Sequence, residues 1–248
     1  MSNARTVPQS NWRCRSFWRI FWRGFEDLLQ GTNPVLNLAG ILAGLLLSWW
    51  IYVPVHELLH AGGCWLGGGH VWRLEIEKIY GGGVLAFLFP FVCGSSEYGG
   101  RLAGFDTGGS DWVYALTVGL PFVLVLPGMV LMRRAILSRR KVLFGAALPL
   151  ALSPLLSLTG DCLELASLLI YQVWPGPGGA NRPLISDDLF RLIREQRGPA
   201  GLLNGASGWT FVLTSQLLGL LLALLTVGIG NRAAERITNG SQSGEFDG

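Results

Sequence analysis

The sequence Val-His-Glu-Leu-Leu-His-Ala-Gly occupies residues 55–62, near the end of an apolar run that begins at Val35. It contains the pattern H-E-x-x-H. Positions four apart lie on the same face of an α-helix, which has about 3.6 residues per turn. His56 and His60 can therefore present two imidazole nitrogens to one metal ion, while Glu57 lies beside them, where it can take a proton from a water molecule.

The composition of the chain is typical of a membrane protein. Half of its 248 residues are apolar, only 14% are charged, and the mean hydropathy is +0.41. A soluble domain carries about a quarter charged residues. The four cysteines are scattered without C-x-x-C spacing, which argues against a zinc ribbon or a disulfide framework. We therefore expect an all-α polytopic membrane protein.

The hydropathy pattern predicts about four transmembrane helices within one membrane domain, residues 34–230. Pro and Gly interrupt the third apolar run, so we expect that span to be broken or kinked. The tail, residues 231–248, is rich in Gly and Ser and is predicted to be disordered. The predicted spans are residues 35–64, 112–132, 142–174 and 208–230.

The N-terminal segment, residues 1–33, is basic and aromatic. Over residues 12–30 arginines alternate with tryptophans and phenylalanines, which predicts a helix lying among the headgroups of an anionic leaflet. The alternative is a basic flank that only fixes topology. This segment and the loop 133–141 each carry five Lys or Arg residues. We expect a multi-pass protein of a bacterial cytoplasmic membrane, and the positive-inside rule predicts that both termini are cytoplasmic and that H-E-x-x-H lies toward the outer face.

A Gly-rich stretch follows the first predicted span. Residues 71–79 partly alternate between polar and apolar, which predicts a strand. Residues 84–93 are apolar but too few for a straight helical span, and they include Pro90. We expect a small β-hairpin or re-entrant element here.

Buried acids indicate a metal site. Among the acidic residues only Glu57, Asp161 and Glu164 fall inside the predicted spans, and no Lys or Arg lies there to neutralise them. A cation held by the two histidines would supply the missing positive charge. A catalytic zinc ion takes three protein ligands and one water. Asp161 is the preferred third ligand, Glu164 is the alternative, and a smaller possibility is His70, Asp106, Asp111 or no metal.

These residues resemble the site-2 protease family of intramembrane zinc metalloproteases. The matching features are H-E-x-x-H on an early span, a Gly-rich strand-like region, and an aspartate on a later span. Residues 159–162 read Thr-Gly-Asp-Cys, whereas the family has a Leu-Asp-Gly-like motif. The resemblance implies that Zn²⁺ is bound by His56, His60 and Asp161.

The resemblance also implies the reaction. Glu57 would act as general base in hydrolysing a peptide bond in or near the transmembrane segment of another membrane protein. That segment must unwind locally, and the Gly-rich residues 81–109 could bind it by strand addition.

Three other readings stay open. The chain could be a non-catalytic membrane scaffold in which the two histidines and Glu57 form a structural polar cluster, or another H-E-x-x-H membrane peptidase with Glu164 as third ligand. The third is a transporter or metal channel, which the clustering of the polar groups at one depth disfavours. Nucleic-acid binding is not indicated, because the arginines of the N-terminal segment alternate with tryptophans beside a span.

Overall fold

The computed structural model describes residues 17–30, 33–96, 98–186, 188–198 and 200–243. Helices dominate this part of the chain, and a three-stranded sheet lies between the second and fourth helices. A 3₁₀ segment, Leu120–Leu124, joins α4 to α5. The elements are α1 Phe17–Leu29, α2 Pro34–Leu66, β1 His70–Ile76, α3 Gly82–Leu88, β2 Val92–Cys93, β3 Gly100–Asp106, α4 Asp111–Gly119, α5 Val125–Leu137, α6 Lys141–Ala151, α7 Ser153–Leu156, α8 Asp161–Val173, α9 Leu189–Gln196 and α10 Ala206–Ser243.

Three helical stretches of the described chain are long and apolar enough to cross a membrane. They are Pro34–Leu66, Asp111–Leu137 and Ala206–Asn239, and they correspond to the first, second and fourth predicted spans. Their outer faces remain apolar, as expected of helices that meet lipid. On α10 exposed side chains recur about every four residues, at Leu213, Leu217, Leu221, Leu225 and Ile229.

The third predicted span, residues 142–174, is divided among α6, α7 and α8. Pro149 lies inside α6, Pro154 is in the first turn of α7, and Gly160 caps α8. The interruption was predicted, but none of the three helices has spanning length, so the predicted total of about four spans is not confirmed. α6 packs against α2 and α5, whereas α8 packs against α10 and α4. The break thus places the start of α8 inside the bundle.

The segment after Gly230 corrects a prediction, because residues 231–243 continue α10 instead of being disordered. Buried contacts account for the helix. The guanidinium of Arg133 on α5 donates to Asn231 Oδ1 at 3.0 Å and lies 3.5 Å from Glu235 Oε2. Ala234 is fully buried. These contacts outweigh the weak helix propensity of Gly and Ser. The last five residues, 244–248, lie outside the described chain.

Helix α1 is amphipathic, as predicted for the N-terminal segment. Phe17, Ile20 and Leu28 are buried against the other helices, whereas Trp18 and Trp22 are exposed. Arg19 and Arg23 are exposed beside the tryptophans. The predicted helix begins at residue 12, but residues 12–16 and residues 31 and 32 are not among the described residues.

The Gly-rich region forms a mixed sheet with the strand order β2-β1-β3. β1 pairs in parallel with β2 and antiparallel with β3. The predicted strand, residues 71–79, is therefore present, but it ends at Ile76. A 3₁₀ turn follows it and begins at Lys78. The β1–β3 pair is not a simple hairpin, because α3 and β2 lie between the two strands in sequence. β3 forms one edge of the sheet.

Candidate metal centre

Helix α2 carries three of the candidate residues within five consecutive positions, 56–60. One ligand atom from each of His56, Glu57 and His60 lies within 4.8 Å of the others, so this group could hold a metal ion. Both histidines are 8% exposed, and their ring centroids are 4.8 Å apart. The helical spacing of the motif thus produces the juxtaposition that the sequence predicts.

Asp161, the first residue of α8, meets the two histidines from the opposite side. Its Oδ2 lies 3.0 Å from His56 Nε2, its Oδ1 lies 3.4 Å from His60 Nε2, and the two Nε2 atoms are 3.2 Å apart. Ligand atoms at about 2.0–2.1 Å from a tetrahedral zinc ion are about 3.3 Å from one another. The three side chains are therefore spaced like three corners of such a site.

The Asp161 carboxylate also has an unused acceptor. Oδ2 is shielded from solvent, and the group that approaches it is His56 Nε2 at 3.0 Å, which can donate to it only when that nitrogen is protonated. A buried carboxylate oxygen without a donor is costly. A cation between this oxygen and the imidazoles would satisfy it, so the residues present fit a bound metal.

Each histidine is oriented through its other ring nitrogen. His56 Nδ1 lies 3.1 Å from the hydroxyl of Tyr52, one turn earlier on α2. His60 Nδ1 lies 2.8 Å from the backbone carbonyl of Thr117 on α4. Because a carbonyl only accepts, Nδ1 of His60 is the donor in this bond, which leaves the Nε2 lone pair free to bind a metal in the neutral ring.

Glu57 occupies a space left by a glycine. A Cβ at Gly100, where β3 begins, would lie 2.2 Å from Glu57 Cγ and 2.8 Å from Cδ. A side chain at position 100 would therefore displace the carboxylate. The start of the edge strand and the candidate base are in direct contact.

The site opens into a cavity of about 420 Å³. Glu57, His60 and Asp161 lie on its wall. Strand β3 forms one side, and a polar group from the α8–α9 connection and α9 forms another: Ser186, Asp188, Arg191 and Glu195. Small-molecule and cofactor pockets have volumes of about 300–1,000 Å³. The cavity is large enough for a few residues of an extended chain.

The other candidate ligands take different positions. Glu164, one turn beyond Asp161, lines the same cavity and accepts a hydrogen bond from the hydroxyl of Tyr114. His70 is exposed at the start of β1, where its Cα partner is Asp106 on β3. Asp111 accepts from Arg182. The structure thus brings Asp161 to the histidines and leaves His70, Asp106 and Asp111 away from the cavity wall.

Sequence reasoning missed Tyr52, Thr117 and Gly100. Tyr52 had a visible signal, because it precedes His56 by four residues on the same helix face. Thr117 contributes through its backbone, and Gly100 through the side chain it lacks. Neither contribution has a residue-type signature.

Comparisons of the chain with protein-family models, with curated proteins and with solved structures give no match.

Proposed function

We propose that this chain is an intramembrane zinc metalloprotease similar to the site-2 protease family. It hydrolyses a peptide bond in or near the transmembrane segment of another membrane protein. The observation that carries the proposal is the convergence of His56, His60 and Asp161 from α2 and α8, with Glu57 beside them at the wall of one cavity.

Zinc is proposed because of the donor set. Two imidazoles and one carboxylate are typical of catalytic zinc sites, which leave the fourth position open. When bound, the ion would polarise the scissile carbonyl and make a water molecule more acidic. His56, His60 and Asp161 would hold it, and Tyr52 and Thr117 orient the two imidazoles.

Glu57 is the proposed general base. Its carboxylate takes a proton from the attacking water and delivers it to the leaving amine. Two features support this role. The residue lies next to His56 and its side chain reaches the cavity wall. Asp161 pairs with both histidines, so Glu57 is not needed as the third ligand.

The proposed substrate is a membrane protein whose spanning helix unwinds to an extended strand. β3 supports this, because it is an edge strand and it lines the cavity next to Glu57. Main-chain pairing with an edge strand binds peptides with little sequence preference. Residues 82 and 83 begin the helix α3 and not a strand, and Gly82 is closely packed, because a Cβ there would lie 2.0 Å from Ile76 O. We therefore assign strand addition to β3 rather than to residues 81–83.

We further propose a multi-pass arrangement in a bacterial cytoplasmic membrane with both termini cytoplasmic. In it α6 and α8 together supply a fourth, broken crossing. The exposed tryptophans and arginines of α1 then lie among anionic headgroups of the inner leaflet. The basic residues of 133–141, at the end of α5 and in its connection to α6, lie on the same side, and the metal centre opens toward the outer face.

Glu164 supports a second candidate, an H-E-x-x-H membrane peptidase in which this residue replaces Asp161 as ligand. It lies on the wall of the same cavity, one turn from Asp161. Its hydrogen bond from Tyr114 makes it the less favoured ligand. A non-catalytic scaffold is the remaining alternative.

The test of the proposed function is Glu57→Gln. The substitution keeps the size of the side chain and removes the proton acceptor, so we expect unchanged zinc content and a loss of cleavage of about 10²–10⁴-fold. Terminal-peptide mass spectrometry of host membranes, wild type beside the variant, measures new chain ends in or near transmembrane segments. Identical sets of chain ends in both strains would contradict the protease, and absence of zinc in both would favour the scaffold.

A further inference from the structure

The carbonyl of Thr117 accepts a hydrogen bond from His60, although it lies within a helix. In an α-helix the carbonyl of residue i accepts from the N–H of residue i+4. For Thr117 that residue is Pro121, which has no N–H. The helix therefore leaves this carbonyl without its usual donor.

The N–H one residue before Pro121, which could donate to the Thr117 carbonyl in a 3₁₀ turn, already has another acceptor. The N–H of Leu120 donates to Leu116 O at the end of α4, and the chain then tightens into the 3₁₀ segment Leu120–Leu124. The Thr117 hydroxyl donates to Val113 O. The carbonyl of Thr117 is thus left to a partner from another helix, and His60 Nδ1 fills that role at 2.8 Å.

A glycine brings the two helices close enough for this contact. A Cβ at Gly63 on α2 would lie 2.3 Å from Leu116 O and 2.9 Å from Thr117 Cα. Any larger residue at position 63 would push α4 away from α2. The approach of α4 and the missing N–H together direct the carbonyl of Thr117 at His60.

We propose that Pro121 is a positioning residue of the metal centre. By removing the helical donor, it reserves the Thr117 carbonyl for Nδ1 of His60, and the Nε2 lone pair of that ring is thereby presented to the metal. This inference rests on the proposed function in one respect, namely that His60 is a zinc ligand.

Two variants separate the effect of restoring the backbone N–H at position 121 from the effect of losing the proline ring. Pro121→Ala restores a backbone N–H that competes with His60 for the Thr117 carbonyl. The α-hydroxy acid analogue of alanine at position 121, introduced by nonsense suppression, replaces the amide with an ester and has neither ring nor N–H. Pro127→Ala is the matched control, because Pro127 is exposed in the following helix and is not on the cavity wall.

Zinc affinity and the tautomer of His60 are the two measurements. Zinc affinity is determined by competition with a chelator, and the tautomer by nitrogen-15 NMR of a chain that has only three histidines. Losing the partner of a metal-bound histidine typically weakens metal binding about 10–100-fold. We expect that loss in Pro121→Ala, together with a smaller population of the Nδ1–H tautomer at His60. The ester analogue and Pro127→Ala should match the wild type in both measurements.

Several results would overturn the inference. One is a Pro121→Ala variant with the zinc affinity and the His60 tautomer of the wild type. The other is an equal loss of zinc affinity in Pro121→Ala and the ester analogue, which would assign the effect to the proline ring. If Pro121→Ala does not fold, the ester analogue decides: wild-type behaviour supports the inference and a loss refutes it. If the wild-type chain binds no zinc, the proposed function fails, and the tautomer of His60 in Pro121→Ala still tests the role of Pro121.

Discussion

Four ionisable side chains lie close together where α2 meets the start of α8, largely shielded from water. An imidazole or carboxylate in such surroundings is costly unless it has a partner. Here His56, His60 and Asp161 have their ligand atoms within 3.0–3.4 Å of one another, and Glu57 is adjacent. This mutual approach is the feature that a bound cation would explain most simply.

Gly100 provides a test of Glu57 that leaves the metal ligands unchanged. In Gly100→Ala the new Cβ would meet Glu57 Cγ, so we expect the carboxylate to shift while the zinc content stays the same. A displacement of about 1 Å in a catalytic group can cost about 10²-fold in rate. Cleavage measured beside zinc content checks this.

Gly83→Ala is the control for that substitution, since among the described residues nothing beyond its own stretch of helix lies within 4 Å of a Cβ at position 83. It should retain full cleavage. Full cleavage in Gly100→Ala as well would show that the placement of Glu57 does not limit the reaction.

At the residue scale, the sequence predicted the contacts that follow from spacing along one helix. His56 and His60 meet because they are four residues apart. The match with Asp161 rested on the rarity of acids in apolar runs, and the structure places this aspartate at the histidines. Thr117 and Gly100 could not be predicted, because the contact of each depends on how separate elements pack.

At the element scale, the broken third span matters more than its length. Because α8 begins at Asp161, the carboxylate lies at a helix N-terminus inside the bundle. Negative charge is favoured at such a position. The prolines and Gly160 predicted an interruption in this run. The lengths of the resulting helices depend on their packing against α2, α5 and α10, which the sequence pattern does not contain.

The edge strand β3 leads to a prediction about substrate binding. A photo-reactive amino acid at Ala103, an exposed position on β3, should cross-link to substrate in the Glu57→Gln background, where the bound substrate is not cleaved. The same group at Ile79, exposed but not on the cavity wall, is the control. Gel shifts of the cross-linked products provide the measurement. Cross-links from Ile79 but not from Ala103 would argue against strand addition at β3.

At the scale of the whole molecule, the arrangement in the membrane determines which side the site faces. The described chain has three stretches of spanning length, and an additional broken crossing by α6 and α8 would return the C-terminus to the side of the N-terminus. Composition and hydropathy predicted the long helices well. They did not predict the conformation of residues 231–243, which are helical because they make buried contacts with α5.

Labelling with a thiol reagent that does not cross membranes tests this topology. In a variant without native cysteines, a cysteine at Thr107, between β3 and α4, should react in unlysed cells whose outer membrane has been made permeable to the reagent. A cysteine at Ser138, exposed in the basic loop, should react only after lysis. The opposite pattern would place the metal centre toward the cytoplasm and reverse the proposed orientation.

Metal content tests the central claim most directly, because it depends on α2 and α8 meeting at one ion. The purified wild-type chain should contain about one zinc ion, Asp161→Ala should lose it, and Glu164→Gln should keep it. Elemental mass spectrometry of the three proteins after identical dialysis gives the answer. A wild-type chain without stoichiometric metal, or an Asp161→Ala chain that retains its full zinc, would contradict the account.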